Sequence, residues 1–371
     1  MLRTVCEHCP LFFFVIERNS PGPQTAKSVE MTDLSKPAKN ILTDAGAGGA
    51  ISRSTSEVIH AFISERLPAP GQPLSNAADH HFMVPGKMLR AKMALRAADA
   101  LKVDRAAAMH WAAAIEVLHN ASLIHDDICD GDRLRRGRPA VWSLFGRDVA
   151  LTLGDWLIAL AFELAAEAAQ RSQTPMLVKV LATHMKTTTI GEAREFDISP
   201  VASWDTYLQG AGDKTAPLLT APLEGVATMA LHGNSATTIG QCFRALGNAY
   251  QIGNDILNFS GGDGANSCGS DMRRRAPNGV VVLFRATLDD KSRTAFDDWY
   301  ASGDDAGFDG WLVAILGSSA ASEAARRMTT LMARAGECAD TLPAELSAVI
   351  IPIQQLLQQV CVKSVASLNQ T

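Results

Sequence analysis

The chain has 371 residues, a net charge of −5, 47% hydrophobic and 20% charged residues, which is the make-up of one large or two ordinary globular domains. This composition excludes a disordered chain and leaves no basic surface for nucleic acid, and 28 Gly with 16 Pro exclude collagen-like and low-complexity architectures. Aromatic residues are only 6% and Ala-rich runs recur, so helices are favoured over a β-sandwich.

Residues 1–50 are unlike the rest. Pro21, Pro23 and Pro37 break any helix, and the Gly-Ala run from Ala45 to Ala50 reads as flexible, so a disordered extension is expected. Cys6 and Cys9 have the spacing of half a zinc site, but no second half follows. The longest candidate for a membrane segment is expected to be Leu11 to Ile16, too short for a bilayer that needs about 20 residues. Nor does a small-residue cleavage site follow it. The expectation is therefore no membrane span and a cytoplasmic protein, with Met1 or Met31 as alternative starts. Seven Cys, an odd number at no repeated spacing, fit a reducing compartment.

From residue 51 to 371 the pattern predicts a single all-α domain of many helices. Apolar helical stretches run near 55–66, 86–101, 149–170, 176–191, 216–231, 236–259, 279–290, 307–315, 320–335 and 344–367. Leu101 to Asp130 contains neither Gly nor Pro, and Asp104 is placed to cap a long helix there. His80 and His81 are expected in a loop. Val280 to Phe284 is rich in Val but too isolated to build a sheet. No internal repeat of fixed period is visible.

The chemistry concentrates at the end of the long helix. His119, Asp126 and Asp130 are spaced seven and four apart and share one helical face. Acids at a helix C-terminus meet the negative end of its dipole, so a cation must offset them. Oxygen ligands suit Mg²⁺, which takes one or two carboxylates plus substrate phosphates. Taken alone, such a string is also compatible with a solvated acidic helix end. Asp130 is followed by four residues and then by Arg135, Arg136, Gly137 and Arg138, and guanidinium groups bind phosphate bidentately.

With these motifs the sequence resembles the trans-isoprenyl diphosphate synthases (polyprenyl synthetases). Asp126-Asp127-Ile-Cys-Asp130 followed by Arg135-Arg136-Gly137 is similar to that family's first aspartate-rich motif and its arginine pair. Gly86-Lys87-Met-Leu-Arg90 resembles its upstream lysine–arginine motif, with Pro85 and Ala91 as departures. His119, Gly154-Asp155, Lys214-Thr215 and Tyr250-Gln251-Ile252 match further family positions in order, over roughly residues 55–290. The resemblance implies an isoprenoid-synthase-type helical bundle around a central hydrophobic cavity, acting as a homodimer. It implies Mg²⁺ held by Asp126 and Asp130 with Asp127 nearby, and by Asn254 and Asp255 of a second motif. Arg135, Lys214 and Thr215 would attend an allylic diphosphate. Lys87, Arg90, His119 and Arg136 would hold isopentenyl diphosphate, with Gln251 also at the substrate. Ser122 and Ala121, with Leu118 one turn further down, would line the product tunnel, and the small size of the first two implies a product of about twenty carbons. Trp111, four turns below, reads as core or tunnel floor, and Glu192 stands where the family often has Gln.

Two departures bear on function. The second aspartate-rich motif is Asn254-Asp255-Ile-Leu-Asn258, so two of three charges are gone. In the following loop Asn266 and Ala276 stand where two lysines are expected, beside Arg273-Arg274-Arg275. Either one of these arginines replaces a lost lysine, or they form a solvated basic loop. Besides a prenyltransferase, a class I terpene cyclase and a non-catalytic partner subunit remain open. Asn258 and Gly262 stand where a cyclase would carry its Ser/Thr and Glu.

Overall fold

The computed structural model describes residues 54–196, 203–260 and 268–368. The chain divides into two units, Met1–Thr43 and Asp44–Thr371, and every described residue belongs to the second. The expected extension, with Cys6, Cys9, Leu11–Ile16 and Met31, lies outside the described residues, as do Gly262 and Asn266.

Among the described residues the fold is all-α, with one two-stranded ribbon. The helices are α1 (Thr55–Ser64), α2 (Ser75–Phe82), α3 (Leu89–Ala100), α4 (Arg105–Asp130), α5 (Val141–Phe145), α6 (Arg147–Ser172), α7 (Met176–Ala193) and α8 (Trp204–Thr215). Then follow α9 (Pro217–Met229), α10 (Ala236–Ser260), α11 (Ser270–Arg274), α12 (Gly279–Thr287), α13 (Asp290–Ser302), α14 (Phe308–Leu316), α15 (Ala320–Asp340) and α16 (Ala344–Leu368). Strands β1 (Leu134–Arg135) and β2 (Arg138–Pro139) pair antiparallel.

Local chemistry starts and stops these elements. Ser54 and Glu57 form a reciprocal capping box on α1. Asp104 caps α4 as expected, its Oδ2 accepting the Ala107 N–H at 2.7 Å. At the other end Gly131 leaves the helix at φ +71°. Helix α4 is the central element and packs along α6, α3 and α9. Its Trp111, Ala114, Ile115 and Ala121 are fully buried. Trp111 proves to be core: its indole N–H donates to the Pro222 carbonyl of α9 at 3.2 Å.

The structure corrects several expectations. His80 and His81 sit in α2, not a loop. That helix is short, polar and lacks a side-chain cap, so its periodicity is too weak to read. Helices α8 and α13 were also hidden, one by Gly210 and Gly212, the other by a mostly polar sequence with only Phe296 and Tyr300 buried. Helix α3 begins at Leu89 because Met88 takes a left-handed φ of +49°. Lys87 and Arg90 therefore do not share a helix. Leu11 to Ile16 is not the longest candidate for a membrane segment: by length and composition α6 over Arg147–Arg171 and α16 over Ala344–Ala366 are long and apolar enough to span a bilayer. Acidic residues in α6 and glutamines in α16 interrupt their apolar runs. In this fold α6 buries Leu153, Leu157 and Leu164 against its neighbours.

Candidate active site

Two charged groups form around the C-terminal half of α4, one acidic and one cationic. The acidic group is built on Asp126 and Asp130, one turn apart. Helix α7 ends beside them and brings Glu192, and the turn after it brings Glu195. Lys214, in the last turn of α8, reaches both: its Nζ lies 2.9 Å from Glu192 Oε2 and 2.6 Å from Glu195 Oε2. Gly191 permits this approach. A Cβ there would stand 2.2 Å from the Lys214 backbone nitrogen. Burial works against the Lys214 charge, but Glu195 and Glu192 hold its pKa well above the ordinary lysine value. Burial first, and then the charge of Glu192, push the Asp126 carboxyl up to about 7.

These donors suit a hard divalent cation. The second oxygen of Glu192 is buried without a hydrogen-bond partner. Asp126 is destabilised as an anion by its neighbours, and a metal would relieve both. No three His, Cys, Asp or Glu side chains among the described residues converge to hold a metal alone. Mg²⁺ commonly takes one or two carboxylates and completes its shell from phosphate and water.

Asp127 plays a different part from its neighbours. It is 1% exposed, and its Oδ1 accepts from Arg135 Nε at 2.7 Å and from Arg135 Nη2. The pair fixes the guanidinium at the mouth of the acidic group. Arg135 is aimed by the hairpin. Arg136 and Gly137 form its two-residue turn with φ of +55° and +74°. Both central residues of such a turn need positive φ, which Gly137 accepts without strain and Arg136 must tolerate.

The cationic group lies on the next face of α4. Arg136 donates to the Val84 carbonyl at 2.9 Å and to Asn120 Oδ1 at 3.3 Å. Asn120 is held by its own bond to the Glu116 carbonyl and also meets His81 Nε2 at 3.0 Å. Burial lowers the His119 pKa well below its usual value, and the charges of Arg90 and Arg136 lower it further. Arg90 has a buried Nε without a partner, and the Glu116 charge supports its guanidinium against burial. Lys87 is exposed at the edge of this group. Gly86 has no side chain because Arg136 lies over it; a Cβ would sit 2.8 Å from Arg136 Nη2.

The second motif is arranged otherwise than its spacing suggested. Asp255 is fully buried and faces α8 and α12. Its Oδ2 accepts from Tyr207 Oη and the Gly279 N–H, both at 2.6 Å, and its Oδ1 accepts from Gln251 Nε2 at 2.9 Å. Burial pushes its carboxyl up to about 7, with Asp271 adding to the rise. This geometry engages both oxygens of Asp255, the expected metal ligand, in hydrogen bonds within the protein. It also commits Gln251. Asn254 remains partly exposed, and Asn258 is buried. Thr215 is half-buried beside Gly247. Below Asp126, Ser122 is half-buried with Oγ donating to the His119 carbonyl, whereas Ala121 and Leu118 are closed in the core.

Glu116, Asn120 and Glu195 escaped the sequence reading. Glu116 had a usable signal, a charge within an apolar helix one turn from His119. The others depend on distant segments.

A family model described as polyprenyl synthetase matches residues 71–307. The geranylgeranyl diphosphate synthase of Mycobacterium tuberculosis is 32% identical over 57% of this chain and 61% of its own length, less than two thirds of that relative. The short chain isoprenyl diphosphate synthase of Methanothermobacter thermautotrophicus is 30% identical over 68% of this chain and 79% of its own. The solved geranylgeranyl pyrophosphate synthetase of Pyrococcus horikoshii superposes with a TM-score of 0.69 at 26% identity, covering 82% of this chain and 94% of that one.

Proposed function

This chain belongs to the polyprenyl synthetase family, and on that premise we propose that it is a trans-prenyltransferase joining isopentenyl diphosphate to an allylic diphosphate. The product is a medium-chain isoprenyl diphosphate of about twenty carbons, as the names of relatives suggest. The catalytic domain is residues 51–371, and it works as a homodimer. The observation that carries this reading is the pair of groups on one helix. The acidic group of Asp126 and Asp130 suits a metal-bound diphosphate, and the separate cationic group of Arg90, His119 and Arg136 suits a second, metal-free diphosphate. A cyclase with one diphosphate has no use for the second.

Mg²⁺ bound through Asp126 and Asp130 would supply Lewis acidity to the leaving diphosphate. Arg135, braced by Asp127, and Lys214, braced by Glu192 and Glu195, supply fixed positive charge to the same group. When the allylic C–O bond breaks, its electron pair leaves with the diphosphate. Arg90, Arg136, His119 and Lys87 hold isopentenyl diphosphate so that its double bond attacks the allylic cation. A proton is then lost to the released diphosphate. The apolar helices below Asp126 keep water from the cation.

The test is incubation of the purified chain with Mg²⁺, isopentenyl diphosphate and each allylic diphosphate, with products identified by mass. Elongated diphosphates are expected. A hydrocarbon formed without isopentenyl diphosphate would point to a cyclase instead. Activity only after mixing with a homologue would point to a partner subunit.

A further inference from the structure

The three consecutive arginines after the second motif part company in the structure. Arg273 turns outward, with Nη1 2.9 Å from Asp305 and its guanidinium 3.9 Å over the Phe308 ring. Arg275 turns inward and is 6% exposed. It donates to the carbonyls of Met272, Asp304 and Tyr300 at 2.8, 2.7 and 3.0 Å and lies 4.1 Å from the Trp299 ring. Arg275 is a clip between α11 and α13. Arg274 takes neither route. Its Nη2 donates to Asp271 Oδ1 at 3.1 Å, and its Nη1 stands 3.7 Å from Asp130 Oδ1, on the far side of the acidic group.

We propose that Arg274 is a diphosphate-binding residue, supplying from α11 the positive charge that the neutral Asn254 and Asn258 do not recruit as metal. This rests on the prenyltransferase reading above and deepens it. Three observations carry it. First, the guanidinium is 49% exposed and its contact with Asp130 exceeds hydrogen-bond length, so its donors remain open to a ligand reaching Asp130. Second, α11 is held in place by the side chain that replaced the acid. Asn258 Nδ2 donates to Ser270 Oγ at 2.7 Å, while its Oδ1 accepts the Asp271 N–H at 3.3 Å. An aspartate could make both contacts only as an acceptor, taking the Ser270 O–H and the Asp271 N–H, and would bring a negative charge that the amide does not. Asn278 Nδ2 adds a bond to Asp271 Oδ2 at 3.1 Å. Third, Asp255 is consumed by Tyr207 and Gly279, so no exposed carboxylate of α10 competes for the cation's place.

The long, partly exposed contact with Asp130 contributes little to stability. A guanidinium beside a metal-binding carboxylate instead meets the phosphate oxygens that the metal brings, and a planar fork suits them. As the allylic C–O bond breaks, the new negative charge falls on those oxygens, and Arg274 stabilises it without being consumed.

The test is calorimetric binding of inorganic pyrophosphate to the full chain across a range of Mg²⁺ concentrations. Arg274→Gln is expected to weaken binding about ten- to a hundredfold, as for the loss of a hydrogen bond to a charged group. Arg274→Lys should retain part of the affinity, and Arg273→Gln should stay within about twofold of the parent, since comparable exposed ion pairs contribute little. Adding Asn254→Asp to Arg274→Gln should recover affinity at high Mg²⁺ and raise the number of Mg²⁺ ions bound per pyrophosphate. The proposal is overturned if Arg274→Gln, with an unchanged melting temperature, binds pyrophosphate like the parent at every Mg²⁺ concentration. A parent protein that binds no pyrophosphate with Mg²⁺ present would sink the diphosphate-site reading itself, so the two failures are distinguishable.

Discussion

Asp255 offers a sharp division between a metal ligand and a structural brace. Replacement by Ala leaves Tyr207 Oη, the Gly279 N–H and Gln251 Nε2 without their acceptor in a fully buried place. At about 1–3 kcal/mol for each stranded donor the gross cost is about 3–9 kcal/mol. Two effects reduce it. Water enters the vacated space, and the burial cost that pushes this carboxyl up to about 7 disappears. A net loss of about 3 kcal/mol is expected for Asp255→Ala. Asp255→Asn should cost under about 1 kcal/mol, because its carbonyl still accepts from Tyr207 and Gly279, and Gln251 can turn its oxygen toward the new amide. Urea denaturation followed by circular dichroism gives both numbers, and a Mg²⁺ titration of activity accompanies it. The brace is refuted if Asp255→Ala keeps parental stability while its lost activity returns at high Mg²⁺. That pattern belongs to a ligand.

Three further predictions concern the other groups. Burial pushes His81 from 6.5 to about 4, so below pH 6.5 the unfolded chain takes up a proton that the folded chain refuses. Its contribution is therefore complete above pH 6.5 and lost as pH falls toward 4, by about 3 kcal/mol, and His81→Gln should flatten that part of the stability–pH curve. An unchanged slope would place the acid sensitivity elsewhere. Glu192→Gln removes the charge that, after burial, most raises Asp126, so the acid limb of kcat/KM should move to lower pH. A shift to higher pH would contradict the placement of Glu192. Ser122 lies one turn, about 6 Å, below Asp126 on α4. Ser122→Phe should fill the space below Asp126 and shorten the product seen by mass spectrometry. An unaltered product would mean that the chain grows along another wall.

Much of this protein follows from local sequence. A stretch from Leu101 to Asp130 without Gly or Pro, capped by Asp104, commits to one long helix, and its 3.6-residue period aligns His119, Asp126 and Asp130 whatever surrounds them. Arg136-Gly137 likewise carries its own tight turn. Where the local signal was weak, in the polar α2 and α13 and the glycine-bearing α8, packing alone supplied the helix. The partners of each charge lay further out of reach. A helical face states which residues lie together, not what they meet. Asn254, Asp255 and Asn258 looked like one eroded metal motif because the period groups them. In the folded chain Asp255 turns to Tyr207 and Gly279, and Asn258 turns to Ser270 and Asp271. Lys214 gains Glu192 and Glu195, and Arg274 reaches Asp130, through the approach of helices distant in sequence. The residue types that bring the chemistry were therefore legible from spacing. Whether each carboxylate is left open for a cation or spent on a hydrogen bond was decided by tertiary packing, because burial and the distance to a partner exist only once the helices are assembled.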